Sequence, residues 1–313
     1  MDKVIIYKGE LFKYGFPDHI FNTKRFEIFW SKLVSSSILT NKNIIIRDSQ
    51  AVDLKILELF HDKSHIEYVR RLSESGNGFL DYGDTPVFKG LFEIALHVVG
   101  ATVDATNSVL NNEAKYAFNP AGGYHHAKRN ASAGFCVFND VGVAIEYMLK
   151  KDLVDKIYYI DIDAHHGDGV YYSFEDNPNV YIFDVHESGR FIYPGTGFER
   201  ERGRGKAVGT KINVSLLPGA SDNELIKAID RAYKFGLSID PDIIILQAGA
   251  DGISGDPITH LNYSLEGYKT AIKKVKELAN NTCEKLVVLG GGGYNVSNVS
   301  EAWFNILKIL LDF

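Results

Sequence analysis

Tyr159-Ile-Asp-Ile-Asp-Ala-His-His-Gly-Asp-Gly-Val170 sets three aspartates and two histidines directly behind a short apolar run. Lys156 to Ile162 has the β-branched and aromatic character of a buried strand, and a period of two sends Asp161, Asp163 and His165 to one side of it. Buried charges without partners are strongly disfavoured, so a divalent cation is the natural neutraliser of such a cluster. A carboxylate and an imidazole two residues apart suit zinc, and the stretch reads as a metal site at a strand end.

Outward from this stretch, apolar strand candidates recur at Val4 to Tyr7, Asn43 to Arg47, Lys115 to Phe118, Val180 to Val185, Asp242 to Leu246 and Lys285 to Leu289. Segments with apolar residues spaced by three and four alternate with them: Phe26 to Leu39, Val87 to Asn111, Asp140 to Lys150, Asp222 to Leu237, Leu265 to Ala279 and Val299 to Leu311. That alternation predicts an α/β fold with a parallel sheet covered on both faces. The chemistry-bearing residues follow strands each time, where the ligand crevice of an open α/β sheet lies. No internal repeat, linker or low-complexity stretch interrupts the pattern.

The chain has 313 residues, 45% of them apolar, with 29 glycines and 8 prolines, as expected of an ordered enzyme with a large core. Met1 to Gly9 lacks the features of a signal peptide, and no stretch reaches membrane-spanning length. Two cysteines, Cys136 and Cys283, make neither a disulfide framework nor a thiolate zinc site, which fits a reducing compartment; a cytoplasmic protein is expected. A net charge of -6 argues against direct nucleic-acid binding and is compatible with a basic substrate. The one basic run, Arg200 to Lys206, is interleaved with glycines and a glutamate and reads as a solvated loop.

Zinc usually takes three protein ligands and leaves a position open for water, so Asp163 and His165 need a partner. Asp251, in Gln247-Ala-Gly-Ala-Asp-Gly-Ile-Ser-Gly-Asp256, follows an apolar strand and is flanked by glycines that permit close backbone approach. On local sequence alone Asp-Gly is also an ordinary turn. Gly122-Gly-Tyr-His-His-Ala127 offers two adjacent histidines suited to acid-base work, with Asp161 and Asp168 available to orient them. As an isolated pair, His125 and His126 read more readily as loop or core histidines, a reading the neighbouring aspartates weaken. Leu289-Gly-Gly-Gly-Gly-Tyr-Asn295 lacks the spacing of a phosphate loop; it presents Tyr294, whose phenol suits hydrogen bonding to a developing oxyanion, or a simple turn before the last helix.

Together, GGYHHA at 122 to 127, GFCVFND at 134 to 140, DIDAHHGDG at 161 to 169, YPGTG at 193 to 197, QAGADGISGDP at 247 to 257 and GGGGYN at 290 to 295 resemble the zinc-dependent histone deacetylase family. That family includes acetoin-utilisation proteins and acetylpolyamine amidohydrolases. The motifs run in family order from about Asp18 to the final helix. The resemblance implies one domain over 1-313, with the arginase-deacetylase fold and its open eight-stranded parallel sheet. It makes Asp163, His165 and Asp251 the zinc ligands, pairs His125 with Asp161 and His126 with Asp168, and makes Tyr294 the carbonyl-polarising tyrosine. Phe135 and Tyr193 match the aromatic walls of the acyl-lysine tunnel, the second being commonly phenylalanine, and Gly123 matches the glycine near its floor. Asp84 matches the rim aspartate that holds the substrate backbone, and Arg25 the arginine of the internal acetate channel. A potassium ion is implied at Asp161, Asp163, His165, Asp184 and Val185, although the family often has serine where Asp184 stands.

The expected activity is removal of acetyl or other acyl groups from protein lysine side chains by metal-activated water attack, releasing acetate. A two-carboxylate, one-imidazole set accepts iron(II) as well as zinc. The nearest alternative is acetylpolyamine hydrolysis; Ile258, where polyamine-selective relatives place a carboxylate just after Asp-Pro, favours peptide substrates. A dimanganese ureohydrolase and a non-catalytic acyl-lysine binding module are more remote.

Overall fold

The computed structural model describes residues 2–313. Its strands are β1 (Val4–Lys8), β2 (Ile44–Asp48), β3 (Tyr116–Asn119), β4 (Ile157–Asp161), β5 (Val180–Glu187), β6 (Lys211–Leu216), β7 (Ile243–Gln247) and β8 (Leu286–Leu289). They form one sheet in the order β2-β1-β3-β8-β7-β4-β5-β6, parallel throughout. The central strands β3, β8, β7 and β4 are buried along their whole length, as their continuous apolar composition requires of a sheet covered on both sides.

The helices are α1 (Lys24–Val34), α2 (Leu54–Leu57), α3 (Lys63–Ser75), α4 (Leu91–Leu110), α5 (Asp140–Lys150), α6 (Asp168–Phe174), α7 (Asp222–Ile239), α8 (Leu265–Asn281) and α9 (Val296–Leu310). They pack in two groups, α1, α9, α8 and α7 in series and α2 to α6 around α4 and α5. No helix is long and apolar enough to cross a membrane among the described residues.

Seven strands lie where the alternation predicts them, and the eighth, β6, completes the sheet. Its Lys-Ile-Asn-Val-Ser-Leu alternates apolar with polar at the sheet edge, so it lacks the unbroken apolar run of the central strands. The segment predicted helical from Phe26 to Leu39 ends at Val34, because three serines follow and Ser36 caps a separate short turn by accepting from the Ile38 amide at 3.3 Å. The helix predicted from Val87 begins at Leu91, after Gly90 at φ 93°. The last helix starts earlier than the spacing suggests, since the Asn295 side chain accepts from the Ser297 and Asn298 amides.

This topology aligns the chemistry. Asp161 of β4 lies in register with Asp184 of β5 and Gln247 of β7, and Gln247 with Leu289 of β8, which leads into the glycine run. Five carboxyl ends, those of β3, β4, β5, β7 and β8, therefore open onto one crevice.

Candidate active site

Asp163, His165 and Asp251 converge just beyond β4 and β7. One ligand atom from each lies within 4.8 Å of the others, and all three side chains are buried. Both carboxylates are held by further contacts. Asp163 accepts from the Gln247 side-chain amide at 2.7 Å and the Gly292 N–H at 2.8 Å, and Asp251 accepts from the Ala164 N–H at 2.8 Å. Close approach is what the glycines supply: a Cβ on Gly292 would sit 2.7 Å from an oxygen of both Asp163 and Asp251, and one on Gly249 at 2.3 Å from Asp163.

Electrostatics give the same picture. Burial, and then the Asp163 charge, push the Asp251 carboxyl up to about 8. Burial also works against Asp163, yet the His125 and His165 imidazoles outweigh it and hold that carboxyl well below the usual range. Burial opposes charge on His165, but its hydrogen bonds to Asp163 (3.1 Å) and Asp251 (2.9 Å) raise it to about 10. Two buried carboxylates and an imidazole that touches both form a donor set that a divalent cation fits, with oxygen, nitrogen and oxygen ligands and the backbone of Gly249 and Gly292 packed against them.

The histidine pair stands beside this set. His125 Nδ1 bonds Asp161 at 2.7 Å and His126 Nδ1 bonds Asp168 at 2.8 Å, leaving the two Nε2 atoms 3.1 Å apart. Burial disfavours both charges, but the charges of Asp161 and Asp163 raise His125 to about 10. His126, buried and next to that positive charge, drops to about 4. The pair is thus split into a proton-holding imidazole and a neutral one facing it. Asp168 begins α6, where the helix N-terminus favours its negative charge.

The Tyr294 ring lies 6.3 Å from His165 and 5.8 Å from Phe135. Tyr193 packs edge-on to His126 at 5.0 Å. Gly123, at φ 97°, packs against Gln247 and Gly291. Ile258 sits on a loop tied to the site by the Thr259 hydroxyl, which donates to the Asp251 carbonyl. Asp84 is exposed, and its charge acts on both His19 and Tyr193. Arg25 is buried beneath the glycine run, donating to the Gly291 carbonyl, with its carbon 4.5 Å from the Phe21 ring and 4.7 Å from Trp303. Among the described residues its Nε and Nη1 meet no hydrogen-bond partner. Asp184 has both oxygens engaged, one with His186 at 2.6 Å and the other with the Gly167 N–H at 2.9 Å; Val185 is buried beside it. His166 bonds Thr196 at 2.8 Å and takes no part in the cluster.

Several supporting residues escape sequence reasoning. Gln247 orients Asp163 and donates to the Gly123 carbonyl at 3.2 Å. Tyr159 donates to Asp161 at 2.6 Å. Asp140 accepts from the Gly123 and Tyr124 amides and fixes the loop that carries the histidine pair. Asp256 accepts from the Tyr294 N–H at 2.8 Å. Only their place inside the quoted motifs pointed to them.

Comparison with known proteins agrees with this architecture. The histone deacetylase domain model matches residues 19–310, and the chain belongs to that family. Among similar proteins, the acetoin utilization protein AcuC of Bacillus subtilis (strain 168) is 36% identical over 97% of this chain and 81% of its own length. Histone deacetylase 8 of Xenopus laevis is 31% identical over 84% of this chain and 81% of its own. The solved structure of the HDA15 HD domain superposes with a TM-score of 0.90 over 100% of this chain and 90% of that one; at 23% identity it speaks for the fold.

Proposed function

We propose that this chain is a metal-dependent lysine deacylase, hydrolysing the acyl amide of modified protein lysines and releasing acetate. Asp163, His165 and Asp251 would hold zinc or iron(II). The observation that carries the reading is the arrangement beside that set: two adjacent imidazoles, each backed by its own buried carboxylate, with the Tyr294 ring 6.3 Å from the His165 imidazole. The bound cation supplies Lewis acidity toward the acyl carbonyl and toward water.

His126, neutral and fixed through Nδ1 by Asp168, presents Nε2 to accept the proton of the attacking water. Tyr294 donates its phenol hydrogen to the carbonyl oxygen as negative charge builds there. His126 then returns its proton to the departing lysine nitrogen. His125, which keeps its proton on the strength of Asp161, stabilises the developing negative charge. Phe135 and Tyr193 flank the aliphatic part of the acyl-lysine over the floor at Gly123, and Asp84 accepts from the substrate backbone at the rim. Arg25, with its two unpartnered nitrogens, faces the acetate path.

A potassium ion at Asp161, Asp163, His165, Asp184 and Val185 belongs to the proposal through backbone oxygens, because the Asp184 side chain is already paired. A cytoplasmic setting suits the two free cysteines, Cys136 and Cys283. The net charge of -6 suits a basic protein substrate.

The test is direct competition between an acetyl-lysine peptide and acetylspermidine with the zinc-loaded protein. Higher kcat/KM on the peptide is expected, because Ile258 brings no charge for a distal amine. Preference for acetylspermidine would move the reading to polyamines, and tight peptide binding without acetate release would make the chain a binding module.

A further inference from the structure

Phe135 occupies a backbone position that its side chain does not favour. Gly134 and Phe135 form the tip of a two-residue turn closed by paired hydrogen bonds between Ala133 and Cys136, at 3.2 and 2.9 Å. Both tip residues have positive φ, 53° and 68°. Primed turns of this kind take glycine, asparagine or aspartate; a bulky ring there is an outlier that surrounding structure must hold. Gly134 is required for space, since a Cβ would meet the His126 ring at 2.6 Å and Tyr193 at 3.0 Å. Phe135 has no such excuse.

Its peptide groups are gripped from two distant segments. The Phe135 N–H donates to the Thr85 hydroxyl at 3.1 Å, and the Phe135 carbonyl accepts from the Tyr14 hydroxyl at 2.7 Å, which itself accepts from the Val137 N–H at 3.0 Å. Thr85 and Tyr14 are fully buried. Thr85 is in turn set by Asp81. One Asp81 oxygen accepts from the amides of Gly83 (3.1 Å), Asp84 (2.8 Å) and Thr85 (2.8 Å), and the other accepts from the Thr85 hydroxyl. A single carboxylate therefore shapes the loop that carries Asp84, and the same loop reaches across to the turn that carries Phe135.

We propose that Asp81 and Thr85 are positioning residues for substrate binding: through the Thr85 hydroxyl they lock the rim loop of Asp84 to the strained turn of Phe135, so that rim and tunnel wall are set as one unit. The proposal rests on the deacylase reading for its kinetic consequence. Neither residue touches the reacting atoms, so the lock acts on substrate binding rather than on the chemical step.

Thr85→Val keeps the shape and removes the hydroxyl; Thr85→Ser keeps the hydroxyl. With metal-loaded protein and an acetyl-lysine peptide, Thr85→Val is expected to raise KM about fivefold with kcat nearly unchanged, the effect of one lost hydrogen bond. Thr85→Ser should return KM to the wild-type value. Unchanged KM in Thr85→Val, a fall in kcat alone, or a serine variant as impaired as valine would overturn the proposal. Should Thr85→Val not fold, Asp81→Ala removes the acceptor from a half-exposed position and must produce the same rise in KM; an unchanged KM overturns the lock. If the wild type hydrolyses no acyl-lysine peptide, the deacylase reading fails instead. Hydrogen exchange at the Phe135 amide then decides the lock, which requires faster exchange in Thr85→Val and restoration in Thr85→Ser.

Discussion

Two pairs of buried histidines, His125 with His126 and His61 with His65, are built in opposite ways. His125 and His126 each bond a buried carboxylate through Nδ1. His61 and His65 are equally buried, their rings 5.4 Å apart, but they bond only backbone and a hydroxyl: His61 Nε2 accepts from the Asn139 N–H at 2.9 Å, and His65 Nε2 faces the Val137 carbonyl at 3.4 Å and Ser132. Burial, and then the neighbouring His65, press His61 down to about 3, whereas Asp161 and Asp163 lift His125 to about 10. One pair is kept for its protons and the other for its shape. What separates the pairs is the carboxylate bonded to each ring of the first; within that pair burial and the charge of His125 still hold His126 down to about 4, so His125 alone keeps its proton.

The largest effect that can break this contrast lies at the centre the first pair serves. Asp163→Ala should empty the metal site and abolish turnover, with elemental analysis showing the loss; retained metal and activity would refute the ligand set. The same substitution applied to both pairs comes next. His126→Ala is expected to lower kcat by about 10²- to 10⁴-fold, the range for a general base. His61→Ala should leave kcat per folded molecule unchanged while costing about 2 kcal/mol of stability in urea unfolding, through the Asn139 amide left without its acceptor. Equal kinetic losses from the two would erase the distinction.

Asp168→Asn makes His126 resemble His61 by leaving the ring without its carboxylate. A fall of about 10- to 100-fold in activity is expected from the lost orienting partner, read in steady-state kinetics with metal content held equal. The smallest effect is in stability against pH. The folded-state value of His61 lies below its unfolded value of about 6.5, so the unfolded chain binds the proton more readily. Its contribution is full above about pH 6.5 and is lost as the pH falls toward 3. His61→Gln should flatten that acid limb of the urea-derived stability curve, and an unaltered limb would show that His61 is not buried neutral.

The contrast also marks what could be read in the chain beforehand. Asp161, Asp163, His165 and Asp168 were legible because so many charges behind an apolar strand have no place in a core without a ligand, and the central strands because their apolar runs are unbroken. Asp251 and His125-His126 were ambiguous alone, being an Asp-Gly turn and a histidine doublet of the sort that His61 and His65 show can be structural. Gln247, Asp140, Asp256 and Thr85 carry no local signal: each acts by hydrogen-bonding a backbone or side chain far away in sequence, and that pairing exists only after the strands are ordered. β6 and α3 went unread for a related reason. β6 is a half-polar edge strand, and α3 has its apolar residues diluted by charges.

Acetate release by the zinc-loaded chain and its Tyr294→Phe variant tests the account most directly. Wild type should deacetylate an acetyl-lysine peptide, and Tyr294→Phe should bind the same amount of zinc while losing about 10²- to 10³-fold in kcat, as expected for removal of one oxyanion donor. Turnover by the phenylalanine variant equal to wild type, or no acetate from fully metallated wild type, would contradict it.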